Sequence, residues 1–228
     1  MIKVIEVSKR FDDLIVLNKV SFEVGDGRLV VILGPSGTGK TVLLKSIIGL
    51  SPLDSGEVFI DGQSVQKASQ SQLYEIRKMI GYVFQGAALF DSLNVRDNIA
   101  LPLDEHTQLG SRDIRKKVTE ILAIVGLPGK ERLYPRSLSG GMKRLVSVGR
   151  ALSLDPKYIF YDEPTTGLDP IMKDRIVKLI VNLKRDYKKS GIVVTHDLET
   201  ARAIGDDIFM LKNGEITKLE KIGKEYYG

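Results

Sequence analysis

Residues 29–48 read LVVILGPSGTGKTVLLKSII, and this stretch decides the fold. Leu29 to Leu33 make a continuous apolar run that breaks at Gly34, the pattern of a strand buried on both faces of a parallel sheet. Beyond the glycines, Val42, Leu43, Leu44, Ile47 and Ile48 set out a helix that ends near Gly49. Between the two, GPSGTGKT at 34–41 matches the pattern G-x-x-x-x-G-K-[ST]. Its glycines let backbone N–H groups fold around phosphate oxygens, and the helix presents its positive dipole end to them. The pattern predicts a nucleotide cradle of Gly34, Pro35, Ser36, Gly37, Thr38, Gly39, Lys40 and Thr41. Lys40 reaches the β- and γ-phosphates, and the Thr41 hydroxyl ligates Mg2+.

Upstream, Val20, Phe22 and Val24 alternate with polar neighbours, which predicts a half-buried antiparallel strand. Asp61-Gly62, between EVFI and QSV, is a hairpin signal, and Asn213-Gly214 is a second one near the end. From about Gly86 to Leu154 strand character is nearly absent. Ile114, Val118, Ile121, Leu122 and Val125 lie on one helical stripe there. The parallel-sheet pattern returns with YIFY (158–161), a helix from about Ile171 to Lys188, IVVT (192–195) and a second short helix.

The 228 residues suffice for one sizeable domain with its own core. A net charge of +5, from 34 Lys and Arg against 29 Asp and Glu, is a mild excess suited to a solvated surface. The absence of cysteine excludes disulfides, thiolate metal sites and cysteine nucleophiles. The opening MIKVIEVSKRF lacks the apolar stretch of a signal peptide, and no run approaches the roughly 18 apolar residues of a spanning helix. Work at a membrane would need spans from another chain.

The second half of the chemistry lies in YIFYDEP. An apolar strand ending in Asp162-Glu163 puts two carboxylates at the carboxyl edge of a parallel sheet, where ligands gather. Asp162 is suited to orient Mg2+ through water, and Glu163 to take a proton from the attacking water. His196 closes IVVT, where it can touch a γ-phosphate, and Gln85 ends YVF, where it can meet Mg2+ or the water. Ser139, Gly140, Gly141 and Met142, followed by a helix with Leu145, Val148 and Leu152, make another anion-binding helix start. The plain alternative is a helix cap. A second such terminus in a chain with one complete cradle implies a γ-phosphate held by a neighbouring copy, in a head-to-tail pair.

Taken in order and spacing, GPSGTGKT, Gln85, LSGGM, YIFYDEP, GLD (167–169) and His196 resemble the motifs of ABC-transporter ATPases across essentially the whole chain. The resemblance implies an α/β P-loop NTPase, with a RecA-like core, an N-terminal antiparallel β subdomain and an inserted α-helical subdomain. The implied organisation is one domain over 1–228, with 1–85 and 155–228 as core and 86–154 as the helical subdomain carrying the signature. It also implies ATP and Mg2+ as cofactors and Glu163, His196 and Gln85 as catalytic groups. Thr41, Gln85 and Asp162 become metal ligands, Phe11 the adenine-stacking ring and Asp169 the D-loop acid. Phe11 reads equally as a core residue.

The stretch QGAALFDSLNVRDNIALPLDEHTQL, residues 85–109, is similar to the ATPases of Mce-type lipid transporters, including the maintenance-of-lipid-asymmetry system. That likeness implies hydrophobic cargo, an integral-membrane permease, an Mce-type substrate-binding subunit and a peripheral position on the cytoplasmic face of the inner membrane. An importer of small polar solutes, or a division- or lipoprotein-linked relative, would share all of this chemistry. Nucleic acid is not an expected partner, since the chain has one cassette, no cysteine and no long heptad run. His106 is left as a surface or groove residue.

Overall fold

The computed structural model describes residues 1–220, so 221–228, the end of the expected domain, lie outside the described residues. In chain order the strands are β1 (Ile2–Phe11), β2 (Leu14–Val24), β3 (Leu29–Leu33), β4 (Ser55–Ile60), β5 (Gln63–Ser64), β6 (Ile80–Val83), β7 (Tyr158–Asp162), β8 (Ser190–Thr195), β9 (Asp207–Lys212) and β10 (Glu215–Leu219). The helices are α1 (Lys40–Ile47), α2 (Gln70–Lys78), α3 (Val95–His106), α4 (Ser111–Ile124), α5 (Gly140–Leu152), α6 (Pro170–Tyr187) and α7 (Leu198–Ile204). They fall into two compact units, Met1–Ile76 with Ser190 onward, and Arg77–Lys189.

Two sheets build the first unit. In one, β1 runs antiparallel to β2 and β4, and β5 folds back on β4. Val20, Phe22 and Val24 are buried while Ser21 and Glu23 are exposed, as the alternation predicts. In the other, β3 pairs in parallel with both β8 and β9, so that Val30 faces Ile192 on one side and Asp207 on the other. Every residue of β3 and of β8 is buried, which is why both read as apolar runs without alternation. Each fully buried aliphatic side chain of this kind contributes about 1.5–3 kcal/mol. Both expected hairpins form. Asp61-Gly62 (φ 47° and 81°) and Asn213-Gly214 (φ 53° and 80°) supply the paired left-handed residues of a type I′ turn.

The second unit pairs β6 with β7 in parallel, Val83 facing Tyr161. Between these strands the chain is helical. The stripe expected over 112–125 is α4, with Ile114, Val118, Ile121 and Leu122 buried. Helix α5 packs on α3, α4 and β6. The helix expected at about 171–188 is α6, which ends at Lys188 in the left-handed region (φ 54°). Among the described residues no helix is long and apolar enough to cross a membrane.

The approach of β6 to α5 leaves no space for a side chain at Gly81, where a Cβ would sit 2.3 Å from the Ala151 carbonyl oxygen. Gly81→Ala should therefore cost about 1–3 kcal/mol of unfolding free energy through overpacking. Gly86→Ala, with open space around its Cβ, should change little. Urea unfolding of the two variants checks this, and equal midpoints would disprove the tight approach.

Candidate functional site

The first unit builds a loop around Lys40. Gly34 N–H donates to the Thr195 carbonyl (3.1 Å), so the loop leaves β3 beside the end of β8, where the exposed His196 follows. Gly39 sits at φ 95°, and a Cβ there would lie 2.4 Å from Val16 Cγ1, so only glycine fits between β2 and α1. Lys40 opens α1 and is 6% exposed. Its Nζ donates to the carbonyls of Gly34 (2.7 Å) and Pro35 (2.9 Å), and the Thr38 hydroxyl donates to Pro35 as well (2.9 Å).

The start of α1 differs from those of α3 to α7. Side chains of Asn94, Ser139, Asp169 and Asp197 cap α3, α5, α6 and α7. Helix α4 starts at Gly110 but has Asp113 in its first turn. Helix α1 has a glycine at its cap, no side-chain cap bond and no acid in its first turn. Its leading amides and positive dipole end suit an external anion. The cradle therefore fits a phosphate.

Phe11 ends β1 and is 48% exposed, which removes the core reading. It pairs with Leu14 across the hairpin, two residues from the Val16 that abuts Gly39. Lys9 Nζ lies 5.2 Å from the Phe11 ring centroid and 2.9 Å from Asp54 Oδ1. Lys9, with the Arg10 amide, holds the Asp54 carboxyl below its usual range.

The second unit brings Gln85, Asp162 and Glu163 to one sheet edge, because β6 and β7 run in parallel and in register. Asp162 and Glu163 are buried. The Tyr82 hydroxyl donates to Asp162 Oδ2 (3.2 Å), and burial, with that carboxylate beside it, pushes the phenol far up, so it remains a donor. Glu163 occupies the left-handed region (φ 49°), a strained place for a glutamate, and the Thr166 hydroxyl donates to its Oε2 (2.9 Å). Arg144 is also buried. Burial pulls its guanidinium below the ordinary arginine value, against the opposing charges of Asp162 and Glu163.

In the same unit Ser139 Oγ accepts from Met142 N–H (3.2 Å) and Asp169 Oδ1 accepts from Met172 N–H (3.0 Å), so each caps a helix. Gly140 and Gly141 form the first turn of α5. A Cβ on Gly141 would lie 2.5 Å from Met172 Cε, which ties the LSGGM segment to the start of α6. Tyr82, Thr166, Arg144 and Val16 escaped the sequence reading. Only Thr166, three residues after Glu163, has a spacing that signals its role.

A family model described as ABC transporter matches residues 17–166. A probable ribonucleotide transport ATP-binding protein of Mycobacterium bovis is 42% identical over 210 residues, covering 92% of this chain and 58% of that protein. The MlaF proteins, intermembrane phospholipid transport system ATP-binding proteins, are 39% identical in Haemophilus influenzae (95% of this chain, 82% of that one) and 41% in Escherichia coli K12 (88% and 75%). The chain thus spans under two thirds of the length of its mycobacterial relatives. A solved bacterial ABC transporter cassette, described as a dimeric structure, is 33% identical with a TM-score of 0.90, covering 98% of this chain and all of that one. A dimeric post-hydrolysis state of an ATP-binding cassette, bound to ADP and phosphate, gives 0.88 at 33% identity, with coverage of 98% and 100%.

Since Ser139 caps α5, Ser139→Ala should lose about 1 kcal/mol of stability in nucleotide-free protein, and Ser139→Gly only a few tenths. Denaturant midpoints measure both, and an unshifted alanine variant would deny the cap.

Proposed function

We propose a function that proceeds from one premise: this chain belongs to the ABC transporter family. It binds Mg-ATP and hydrolyses it at the cytoplasmic face of the inner membrane. Hydrolysis drives phospholipid or other hydrophobic cargo through a partner permease, with an Mce-type substrate-binding subunit in the same complex. The observation that carries the nucleotide reading is the start of α1, where a glycine cap, a buried Lys40 and a strand-to-helix loop converge. The cargo reading is supported by residues 85–109 and by 39% and 41% identity to phospholipid transport ATP-binding proteins. The mycobacterial relatives, named for ribonucleotide transport, favour a polar cargo as the second reading.

Two copies pair head to tail, a reading supported by the dimeric cassettes at 33% identity. Each triphosphate is held by the Lys40 loop of one copy and the Ser139 helix start of the other. Lys40 exchanges the carbonyls of Gly34 and Pro35 for β- and γ-phosphate oxygens, and Phe11 offers its exposed ring to the adenine. Thr41, Gln85 and Asp162 supply hard oxygen donors suited to Mg2+, Asp162 being fixed by Tyr82. The ion, when bound, offsets phosphate charge.

Glu163, steadied by Thr166, takes a proton from water as the water oxygen bonds to the γ-phosphorus. The bond from that phosphorus to the β–γ bridging oxygen breaks, leaving ADP and phosphate. His196 contacts the γ-phosphate oxygens and Asp169 sits at the seam between copies. Residues 86–154 act as the helical subdomain, and closure reaches the permease through the groove from Gln85 to Leu103.

Glu163→Gln should keep ATP affinity, lower turnover by about 10²–10⁴-fold and accumulate closed dimer, read by phosphate release and light scattering. Normal turnover would remove Glu163 from the reaction. Lys40→Ala should weaken ATP binding about tenfold or more in calorimetry, from the loss of charge-assisted hydrogen bonds. An unchanged affinity would refute the cradle. For cargo, the transporter is purified with its membrane chains and retained lipids are identified by mass spectrometry. Stoichiometric phospholipid supports the reading, whereas a lipid-free complex that moves nucleosides or their phosphates supports the second one.

A further inference from the structure

We infer that Arg144 and Arg150 are positioning residues that fasten the loop after Gln85 to α5, so that the loop and the Ser139 helix start move as one piece. The inference deepens the proposed function, since it supplies the link between nucleotide closure and the segment offered to the permease.

The loop from Phe84 to Phe90 is held mainly by its carbonyls. Arg144 Nη1 donates to the Phe84 carbonyl (2.5 Å), which also accepts from Ala87 N–H (3.0 Å). Arg150 reaches two consecutive carbonyls further along, donating from Nη1 to Ala88 O (2.7 Å) and from Nη2 to Ala87 O (3.1 Å). Its guanidinium lies 6.0 Å from the Phe90 ring centroid. The Asn98 side chain adds a second anchor at the far end, accepting from Phe90 N–H (2.9 Å) and donating to its carbonyl (3.1 Å).

The backbone at this place needs holding. Ala87 and Ala88 are consecutive residues in the left-handed region, at φ 61° and 49°. One such alanine is unfavourable, and two in succession persist only where surrounding bonds enforce them. Arg150 meets that need at both carbonyls. A guanidinium offers its donors from separate nitrogens of one rigid plane, so Arg150 fixes the spacing and direction of both carbonyls, whereas a lysine ammonium is a single compact donor on a flexible stem.

Both guanidiniums donate to neutral carbonyls at a cost in desolvation, which lowers both pKa values, and Arg144 does so within the field of Asp162 and Glu163. The return is geometric. Both arginines belong to α5, whose first turn is the Ser139-Gly140-Gly141-Met142 segment. A rotation of that helix start therefore pulls on the carbonyls of Phe84, Ala87 and Ala88. The outward side of the same loop exposes Phe84 (37%) and Phe90 (51%), with Gln85 also exposed.

Hydrogen exchange by mass spectrometry on the full chain tests this with Arg150→Lys, and with Arg144→Lys/Arg150→Lys. Without nucleotide, amides of 84–90 should exchange about tenfold faster in the variants, as expected for lost charge-assisted bonds, while α4 amides stay unchanged. In the Glu163→Gln background, ATP should slow exchange at 139–142 and 84–90 together. In the arginine variants it should slow only 139–142. Unaltered exchange at 84–90 without nucleotide, or its full ATP protection in the double variant, overturns the fastening. Absence of any ATP effect at 139–142 in the Glu163→Gln protein instead counts against the proposed dimer, and the nucleotide-free comparison still decides the arginines. In the assembled transporter the variants should lose turnover with KM for ATP within about twofold, since no phosphate contact is removed. A raised KM with intact turnover would speak against a positioning role.

Discussion

The first unit is organised around the start of α1, where the cap residue is a glycine and makes no side-chain cap bond. A helix start left in that condition is costly if buried, and useful if an anion completes it. The first unit is arranged to make it useful. The fully buried β3 fixes the point where the loop begins, β8 holds Gly34 from the side, and β2 presses Val16 against Gly39. A rigid sheet thereby aims the glycine loop at one small volume, a place suited to an anion.

In the second unit, unfavourable backbone occurs at Glu163 and in the loop after Gln85, as it also does at Asp155 and Lys188. Glu163, Ala87 and Ala88 all have positive φ without being glycine. Each is held by a specific bond, from Thr166 in the first case and from Arg150 in the other two. Strain of this kind is maintained by the surrounding structure and not relieved, which suits a turn that must present one side chain in one direction. The half-buried Tyr82 does for Asp162 what Thr166 does for Glu163.

Much of this was legible in the sequence because it rests on local rules. Apolar runs without alternation marked β3, β7 and β8, alternation marked β2, and Asp-Gly and Asn-Gly marked two turns that form as written. The α4 stripe was visible for the same reason. What stayed hidden was long-range. The parallel pairing of β3 with both β8 and β9 joins residues more than 160 positions apart (Leu29 with Gly191), and no local pattern encodes the choice. Tyr82 meets Asp162 across 80 residues, and Arg150 meets Ala88 across 62. Phe11 was ambiguous because an aromatic at a strand end reads the same whether it packs or protrudes. Only its exposure separates the two. Ser139 had two readings, and the single chain displays the cap directly.

The Lys40 ammonium already has two carbonyl partners inside its own loop. An incoming anion therefore enters an exchange: it must offer more than Gly34 and Pro35 do before the amine lets go. The resting posture of one side chain thus sets a threshold that every anion meets on arrival, ahead of any contact with a base or a sugar.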